Sequence, residues 1–479
     1  MRTGRQFLES LNDGRAVYLD GERVADVTSH PAFAEPIRQV ATMYDLARER
    51  WDPKTTTYVE PATGARTSAM WLIPRSAADL ALRRHTHRAW SECSFGVMGR
   101  TADSGASILA GFAGSPDVFA RGGQQFADNL LRFYARARDE DLFIPYAVVP
   151  PQGDRSKPAH KQREPFLYAG VVKERDDGIV LRGAQMIATS AVMAHYLLVS
   201  YITPLVPGDE DYAFCAMIPA DAEGLRIYPR RPYGTMATST YDYPLSSRFD
   251  EIDTVVVLKD VFVPWEHVFI YRNVDVVNAQ WHDTAAHTLV NFHTLVRFSV
   301  KMEFVAGLAL KLAELHGIHS LPPVQTQLGA EIGLLGAQID ALAHAAETLP
   351  LVRGGVARPN PLYIYAAMNI QRRQAPELMR TLRELAGGAF IAVPSSDRAF
   401  VGAETAEDMR YFQAGDTPAE KRVKLLKLIW DLVGTEFGGR QLQYDMFYSA
   451  AQHVADMRLY RWYDWSRGRA MVDRCLEGY

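Results

Sequence analysis

Apolar positions recur at helical spacing through the first part of the chain. Within 30–51, Ile37, Val40, Ala41, Tyr44 and Leu46 fall roughly on one face, and 76–99 repeats the pattern. Residues 116–142 read as a further helix that ends in charge. From about residue 143 the texture changes, because Pro145, Pro150, Pro151, Gly153 and Pro158 break any helix. Six β-branched runs follow, at 166–174, 178–189, 196–203, 211–219, 225–230 and 253–264. Turn formers such as Asp176-Asp177-Gly178 and Pro207-Gly208-Asp209 separate them, a spacing that predicts one antiparallel sheet or barrel. From about residue 278 helical periodicity returns in four long segments, 284–317, 324–350, 360–388 and 419–450, which read as a bundle. The expected fold is α+β: an N-terminal helical domain over 1–142, a central antiparallel β domain over 143–275 and a C-terminal four-helix bundle over 276–479.

Composition narrows the function classes. The 479 residues carry 52 Lys and Arg against 56 Asp and Glu, a net charge of -4, without the basic excess of a nucleic-acid binder. Cys93, Cys215 and Cys475 are too few and too far apart for a disulfide framework or a CxxC pair, which points to a reducing, cytoplasmic setting. No apolar run reaches the ~18 residues a membrane span needs, and the N-terminus lacks a signal-peptide core. A GxGxxG after a strand, a GxxxxGK[ST] loop, a GxSxG elbow and an HExxH helix are all missing. His85 and His87, two apart on an expected helix, point to different sides; beside Arg83, Arg84 and Arg88 they read as helix-surface histidines, and no metal site is expected.

Four stretches remain as carriers of chemistry. Arg100, where a helix gives way to a Gly-interrupted turn, suits an anionic or carbonyl group; a cap on the preceding helix is the alternative. In 144–157, Pro150 and Pro151 hold the chain extended, Gly153 allows close backbone approach, and Asp154 and Arg155 offer an acceptor and a donor; a plain linker explains the same pattern. Small residues after the run at 178–189 admit a flat ring, with Thr189 able to reach a ring nitrogen. Gly434, Gly438 and Gly439 interrupt a helical pattern at ~1 kcal/mol each; with Thr435 and Arg440 beside them they suit a pyrophosphate, or form a helix–helix turn. The acidic line at 246–271, with Asp250, Glu251, Asp253 and Asp260, reads as architectural rather than catalytic.

Taken in order, RTGRQFLESLNDGRAVYLDGERV, VVPPQGDRS, FDEIDTVVVLKDVFVPWEHVF and GTEFGGR resemble the oxygenase component of the 4-hydroxyphenylacetate 3-monooxygenase family over nearly the whole chain. The resemblance implies an acyl-CoA-dehydrogenase-like fold and a homo-oligomer, usually a tetramer. It also implies FAD, received as FADH2 from a separate NAD(P)H:flavin reductase, and O2. An aromatic ring is then hydroxylated through a flavin C4a-hydroperoxide.

The family's flavin contacts would fall on Gln152, Gly153, Asp154, Arg155 and Thr189, and on Thr435, Glu436, Phe437, Gly438, Gly439 and Arg440. Its substrate pocket would fall on Arg100, Ser104, Tyr146, Tyr201 and Ile202. The family carries Tyr and His where this chain has Ser104 and Tyr146, so the resemblance implies a substrate larger than or different from 4-hydroxyphenylacetate, a secondary-metabolite intermediate being one candidate. Arg100, Tyr146 and His293 are the expected catalytic groups, with His287 or a plain core histidine as alternatives to His293 as base. Two other activities stay open: a dehydrogenase or iron–sulfur dehydratase on this fold, and a non-catalytic flavin-binding relative.

Overall fold

Local capping fixes where the N-terminal helices start. In the computed structural model, which describes every residue except Thr238, Ser449 and Tyr479, together with the side chain of Met236, helix α1 (Ala34–Glu49) buries Ile37, Val40, Ala41, Met43, Tyr44 and Ala47. Helix α2 (Ala77–Glu92) begins with a reciprocal box: Ser76 accepts from the Asp79 N–H, and Asp79 accepts from the Ser76 N–H. The next helix, α3 (Ala102–Ala113), was not expected. All twelve of its residues are buried, so it has no polar face and no amphipathic stripe. Gly105 lets it press against the Ile144 carbonyl, which a Cβ would strike at 1.8 Å. The expected helix over 116–142 is interrupted by Gly122 and Gly123, the latter at φ +140°, and resumes as α4 (Gln124–Asp139).

All six β-branched runs contain strands, but not in one sheet. In chain order the strands of the two four-stranded sheets are β1 (Tyr146–Ala147), β2 (Gly170–Arg175), β3 (Gly178–Met186), β4 (Tyr196–Val199), β5 (Phe214–Pro219), β6 (Leu225–Pro229), β7 (Thr254–Pro264) and β8 (Val268–Tyr271); three short hairpins lie outside them. One sheet has the order β6-β7-β3-β2 and is antiparallel throughout. The other has the order β8-β5-β4-β1, with β1 joining β4 in parallel so that Tyr146 pairs with Leu198. A bulge between Leu258 and Val261, with Asp260 at φ +55°, breaks the alternation of buried and exposed residues along β7.

The C-terminal part is helical. Helix α5 (Ala286–Leu315) runs thirty residues; α6 (Leu334–Thr348) and α7 (Pro361–Ala386) pack on it and on each other. The fourth expected segment divides at Gly434 into α8 (Ala419–Val433) and α9 (Glu436–Phe447), because the Thr435 hydroxyl caps a new helix by accepting from the Gly438 N–H. Two further helices, α10 (Gln452–Trp462) and α11 (Trp465–Leu476), complete the chain. One continuous apolar core links the N-terminal helices, both sheets and the C-terminal helices. No helix among the described residues is long and apolar enough to cross a membrane.

Candidate active site

Arg100 lies in the turn between α2 and α3 and is fixed at both ends. The N–H groups of Gly99 and Arg100 donate to one Glu251 carboxylate oxygen, Gly99 at 2.6 Å. At the other end, Arg100 Nη1 donates to the Gly99 carbonyl at 2.9 Å and to the Tyr444 hydroxyl at 2.6 Å. The guanidinium carbon stands 5.4 Å from the Tyr146 ring centre and 4.9 Å from that of Tyr444. Arg100, Thr101, Ser104, Gly105, Pro145, Tyr146, Ile187 and Thr189 line a small cavity of about 10 Å³, room for about one water. Burial opposes the charge on Arg100, but Tyr146, Tyr444 and Glu251 outweigh it. Burial also raises the Tyr146 phenol above its ordinary value, with Arg100 pulling the other way, so Tyr146 is neutral at pH 7. The buried Ser104 hydroxyl lies beside the Tyr146 phenol and, like Arg100, pulls its value down.

The acidic line before β7 packs against this cavity through its carboxylates. Arg440, on α9, forks onto Glu251 at 2.6 Å and Asp253 at 2.8 Å. Asp253 also accepts from the Thr189 hydroxyl at 2.8 Å and from Arg230 at 3.1 Å, and Asp250 pairs with Arg230 at 2.5 Å. Burial alone would raise the Asp253 carboxyl, but Arg440, Arg230 and Thr189 hold it well below the usual carboxylate range. The backbone here is strained: Ile187 and Ile252, both β-branched, sit at φ +58° and +51°.

The glycine-bearing turn borders a second, larger space. Pro376, Arg380, Arg383, Thr435, Gly438 and Gly439 are among the residues lining a cavity of about 710 Å³ between α7 and the start of α9. The two glycines of α9 differ. A Cβ on Gly438 would meet the Leu432 carbonyl at 2.4 Å, whereas one on Gly439 would meet nothing within 4 Å. Gly438 is therefore required by packing, and Gly439 leaves backbone open to the cavity. A helix N-terminus with two nearby arginines suits an anionic group such as a pyrophosphate, and the volume suits a large cofactor.

Other expected site residues lie apart. Gln152, Asp154 and Arg155 are on an exposed loop with Gly153; Asp154 pairs with Lys157 at 3.0 Å, and no hydrogen bond or ion pair joins this loop to 435–440 among the described residues. Tyr201 is buried with its hydroxyl donating to the Ala169 carbonyl, and Ile202 is partly exposed; neither lines the cavity at Arg100. Glu436 is exposed and Phe437 buried. His293 is wholly buried and meets Asp103 at 3.4 Å and the ring of His87 instead of the lining residues. His287 belongs to a separate cluster with Tyr365 and Asn291. His85 is exposed as expected, but His87 is not a surface residue. It is fully buried and bonded to Asp103 at 2.8 Å, and with His293 makes a cluster of ligand-type atoms within 4.8 Å. Arg83, also buried, exerts its charge on this cluster. Cys93, Cys215 and Cys475 enter no such cluster among the described residues.

Tyr444 was missed from the sequence, and Glu251 and Asp253 were read there as architectural. Tyr444 had a usable signal: it stands four residues after Arg440, one turn further along the same helix face.

Comparison with known proteins gives one consistent likeness. Residues 3–270 match the family model described as 4-hydroxyphenylacetate 3-hydroxylase N terminal, and residues 277–477 match its C terminal counterpart. The oxygenase component of 4-hydroxyphenylacetate 3-monooxygenase from Klebsiella oxytoca is 33% identical, over 100% of this chain and 93% of that protein. A (3S)-3-amino-3-(3-chloro-4-hydroxyphenyl)propanoyl-[peptidyl-carrier protein] monooxygenase from Streptomyces globisporus is 35% identical, over 93% of this chain and 84% of that one. A crystal structure of an oxygenase component of 4-hydroxyphenylacetate 3-monooxygenase with FAD and 4-hydroxyphenylacetate superposes with a TM-score of 0.93 at 30% identity, covering 100% of this chain and 99% of that one. An archaeal 4-hydroxybutyryl-CoA dehydratase from N. maritimus, at 22% identity and a TM-score of 0.89 over 100% of this chain and 95% of that one, shares the fold.

Proposed function

The chain belongs to the 4-hydroxyphenylacetate 3-hydroxylase family, and from that premise we propose that it is the oxygenase component of a two-component monooxygenase. It would receive FADH2 from a separate NAD(P)H:flavin reductase, act as a homo-oligomer, and hydroxylate an aromatic substrate with O2. The observation that carries this reading is the Glu251–Asp253 bridge. One pair of carboxylates touches Arg100, Thr189 and Arg440, and so joins the small polar cavity to the glycine-bearing turn.

The residues present fit a flavin. Asp253, held ionised by Arg440 and Arg230, can only accept, so the Thr189 hydroxyl proton is committed to it. Thr189 therefore offers a lone pair toward the cavity, the complement of a reduced flavin's ring N–H. Gly439 and the start of α9, with Arg380 and Arg383 near, would take the pyrophosphate, while Gln152, Gly153, Asp154 and Arg155, on a separate exposed loop, would meet another part of the flavin. When bound, reduced flavin with O2 supplies an electrophilic oxygen.

The protein's own part is to orient the ring, exclude water and manage one proton. Arg100 would bind the substrate's oxygen and stabilise its anionic form, which makes the ring more electron-rich. Tyr146, neutral at pH 7, would contribute a hydrogen bond rather than a charge. His293, buried against Asp103, would reach the substrate's proton only through a rearrangement of the cavity wall. The small side chain at Ser104 favours a substrate bulkier than 4-hydroxyphenylacetate.

The test is turnover with NADH, FAD and a generic flavin reductase over a panel of phenols, anilines and heteroaromatics, with hydroxylated product and hydrogen peroxide both measured. Product dependent on the protein, FADH2 and O2 supports the reading. Failure to bind reduced flavin and to hydroxylate any member of the panel refutes it.

A further inference from the structure

We propose that Tyr444 is a substrate-positioning residue, holding the Arg100 guanidinium so that its free N–H groups face an ionised or polarised oxygen of the aromatic substrate. This rests on reading the Arg100 cavity as the hydroxylation site.

Three guanidinium carbons surround the Tyr444 ring, those of Arg100 at 4.9 Å, Arg297 at 5.0 Å and Arg440 at 5.3 Å. Two of these guanidiniums already have carboxylate partners. Arg440 forks onto Glu251 and Asp253, and Arg297 meets Asp445 at 2.7 Å, an acid that Lys301 also holds. Arg100 differs: among the described residues no carboxylate bonds its side chain, and neither its Nε nor its Nη2 has a hydrogen-bond partner. Of the three guanidiniums around this ring, it is the one whose side chain meets no carboxylate directly and still has N–H groups to offer a ligand. A long, flexible side chain with an uncommitted charge needs fixing to select one substrate pose.

Tyr444 is the group that fixes it. Its hydroxyl accepts from Arg100 Nη1 at 2.6 Å, while its ring lies under the same guanidinium. The approach is built into the backbone opposite. A Cβ at Gly99 would come within 2.6 Å of the Tyr444 oxygen and 2.7 Å of the ring carbon that bears it, so a side chain there would evict the ring. Glu251 holds the Gly99 N–H and keeps that backbone still. The ligand class that follows is an aromatic whose phenolic or carboxylate oxygen carries, or can take, negative charge.

The experiment compares wild type, Tyr444→Phe, Gly99→Ala, Arg100→Ala and the double variant Arg100→Ala/Tyr444→Phe. With FADH2 supplied by a generic reductase, Tyr444→Phe should raise KM for the best phenol about 10-fold, the worth of one hydrogen bond, with reduced-flavin affinity unchanged. Gly99→Ala should reproduce the KM effect. In the Arg100→Ala background, Tyr444→Phe should add nothing. In parallel, without flavin, 4-nitrophenol serves as a coloured probe: bound to wild type it should ionise at lower pH than in solution, and this shift should shrink in Tyr444→Phe. An unchanged KM and an unchanged ionisation shift in Tyr444→Phe, or additive losses in the double variant, would overturn the inference. A wild type that binds and ionises 4-nitrophenol, with the shift lost in Tyr444→Phe, yet hydroxylates nothing would refute the proposed reaction and uphold the role of Tyr444.

Discussion

Glu251 and Arg440 form an ion pair at 2.6 Å, with the carboxylate wholly buried and the guanidinium nearly so. The other carboxylate oxygen of Glu251 accepts from the consecutive backbone N–H groups of Gly99 and Arg100. One side chain thus sets the position of the cavity arginine and of the helix that follows the glycine-bearing turn. A shift in either element is felt by the other.

Removing the cation should be costly. Arg440→Ala leaves Glu251 without its counter-ion and Asp253 with Arg230 alone, and breaking such a buried pair costs about 3–5 kcal/mol. Arg440→Lys should recover part of the loss, because a single ammonium cannot fork onto two carboxylates. Urea unfolding of the three proteins measures the difference; a loss below about 1 kcal/mol in Arg440→Ala would match an exposed pair instead and show the bridge to be unimportant.

The two glycines of α9 separate fold from binding. Gly438→Ala must displace the Leu432 carbonyl and should lower thermal stability clearly. Gly439→Ala has open space around it and, on an exposed helix position, should keep or slightly raise stability. If Gly439 backbone approaches the cofactor's phosphates, this variant should instead weaken flavin binding. Calorimetric scans and flavin titration of the same two variants give the comparison; equal flavin affinity in Gly439→Ala and wild type would remove Gly439 from the cradle.

Much of this arrangement was legible before the structure. β-branched runs between turn formers marked six strand segments, and the strong periodicity after residue 278 marked the long helices. Helix α3 was hidden because burial on all sides erases the alternation that betrays a helix. The division into two sheets was hidden because pairing depends on partners far apart, such as Tyr146 with Leu198. Arg100, Thr189 and the glycine-bearing turn were readable as local patterns. The carboxylates joining them were not, since Asp253 looks like a solvated edge until Arg440 arrives from 187 residues away.

Stability should fall steeply on mild acidification. Burial pushes His87 and His282 down to about 4, and His195 and His287 well below their ordinary value. Between pH 6.5 and 4 the unfolded chain takes up protons on these rings and the folded one does not, so the unfolded state gains as pH drops. Their contribution is complete above pH 6.5 and lost progressively below it, by about 3 kcal/mol for His87 alone at the lower limit. Unfolding free energies measured across this range should rise with pH, and His87→Gln should flatten the slope. An unchanged slope in that variant would show that His87 is protonated in the folded protein.

Substrate choice should turn on two positions in the cavity. Ser104 puts a small side chain in the wall of the cavity at Arg100, and Tyr146 lines the same cavity. Burial keeps the Tyr146 phenol protonated, so it cannot offer the positive charge that an imidazolium brings to a phenolate. Among the described residues Arg100 is then the only cation lining the cavity, and a substrate ring must widen this one-water space, most easily on the side where Ser104 is small. Ser104→Tyr combined with Tyr146→His should block that side and add a second group able to carry positive charge. The ratio of kcat/KM for 4-hydroxyphenylacetate to that for a larger phenol should rise at least ~10-fold, about 1.4 kcal/mol of transition-state preference. Product analysis with both substrates in competition measures that ratio directly. Tightly coupled hydroxylation of 4-hydroxyphenylacetate by the wild type, with little change in the double variant, would show that these two side chains do not set the preference.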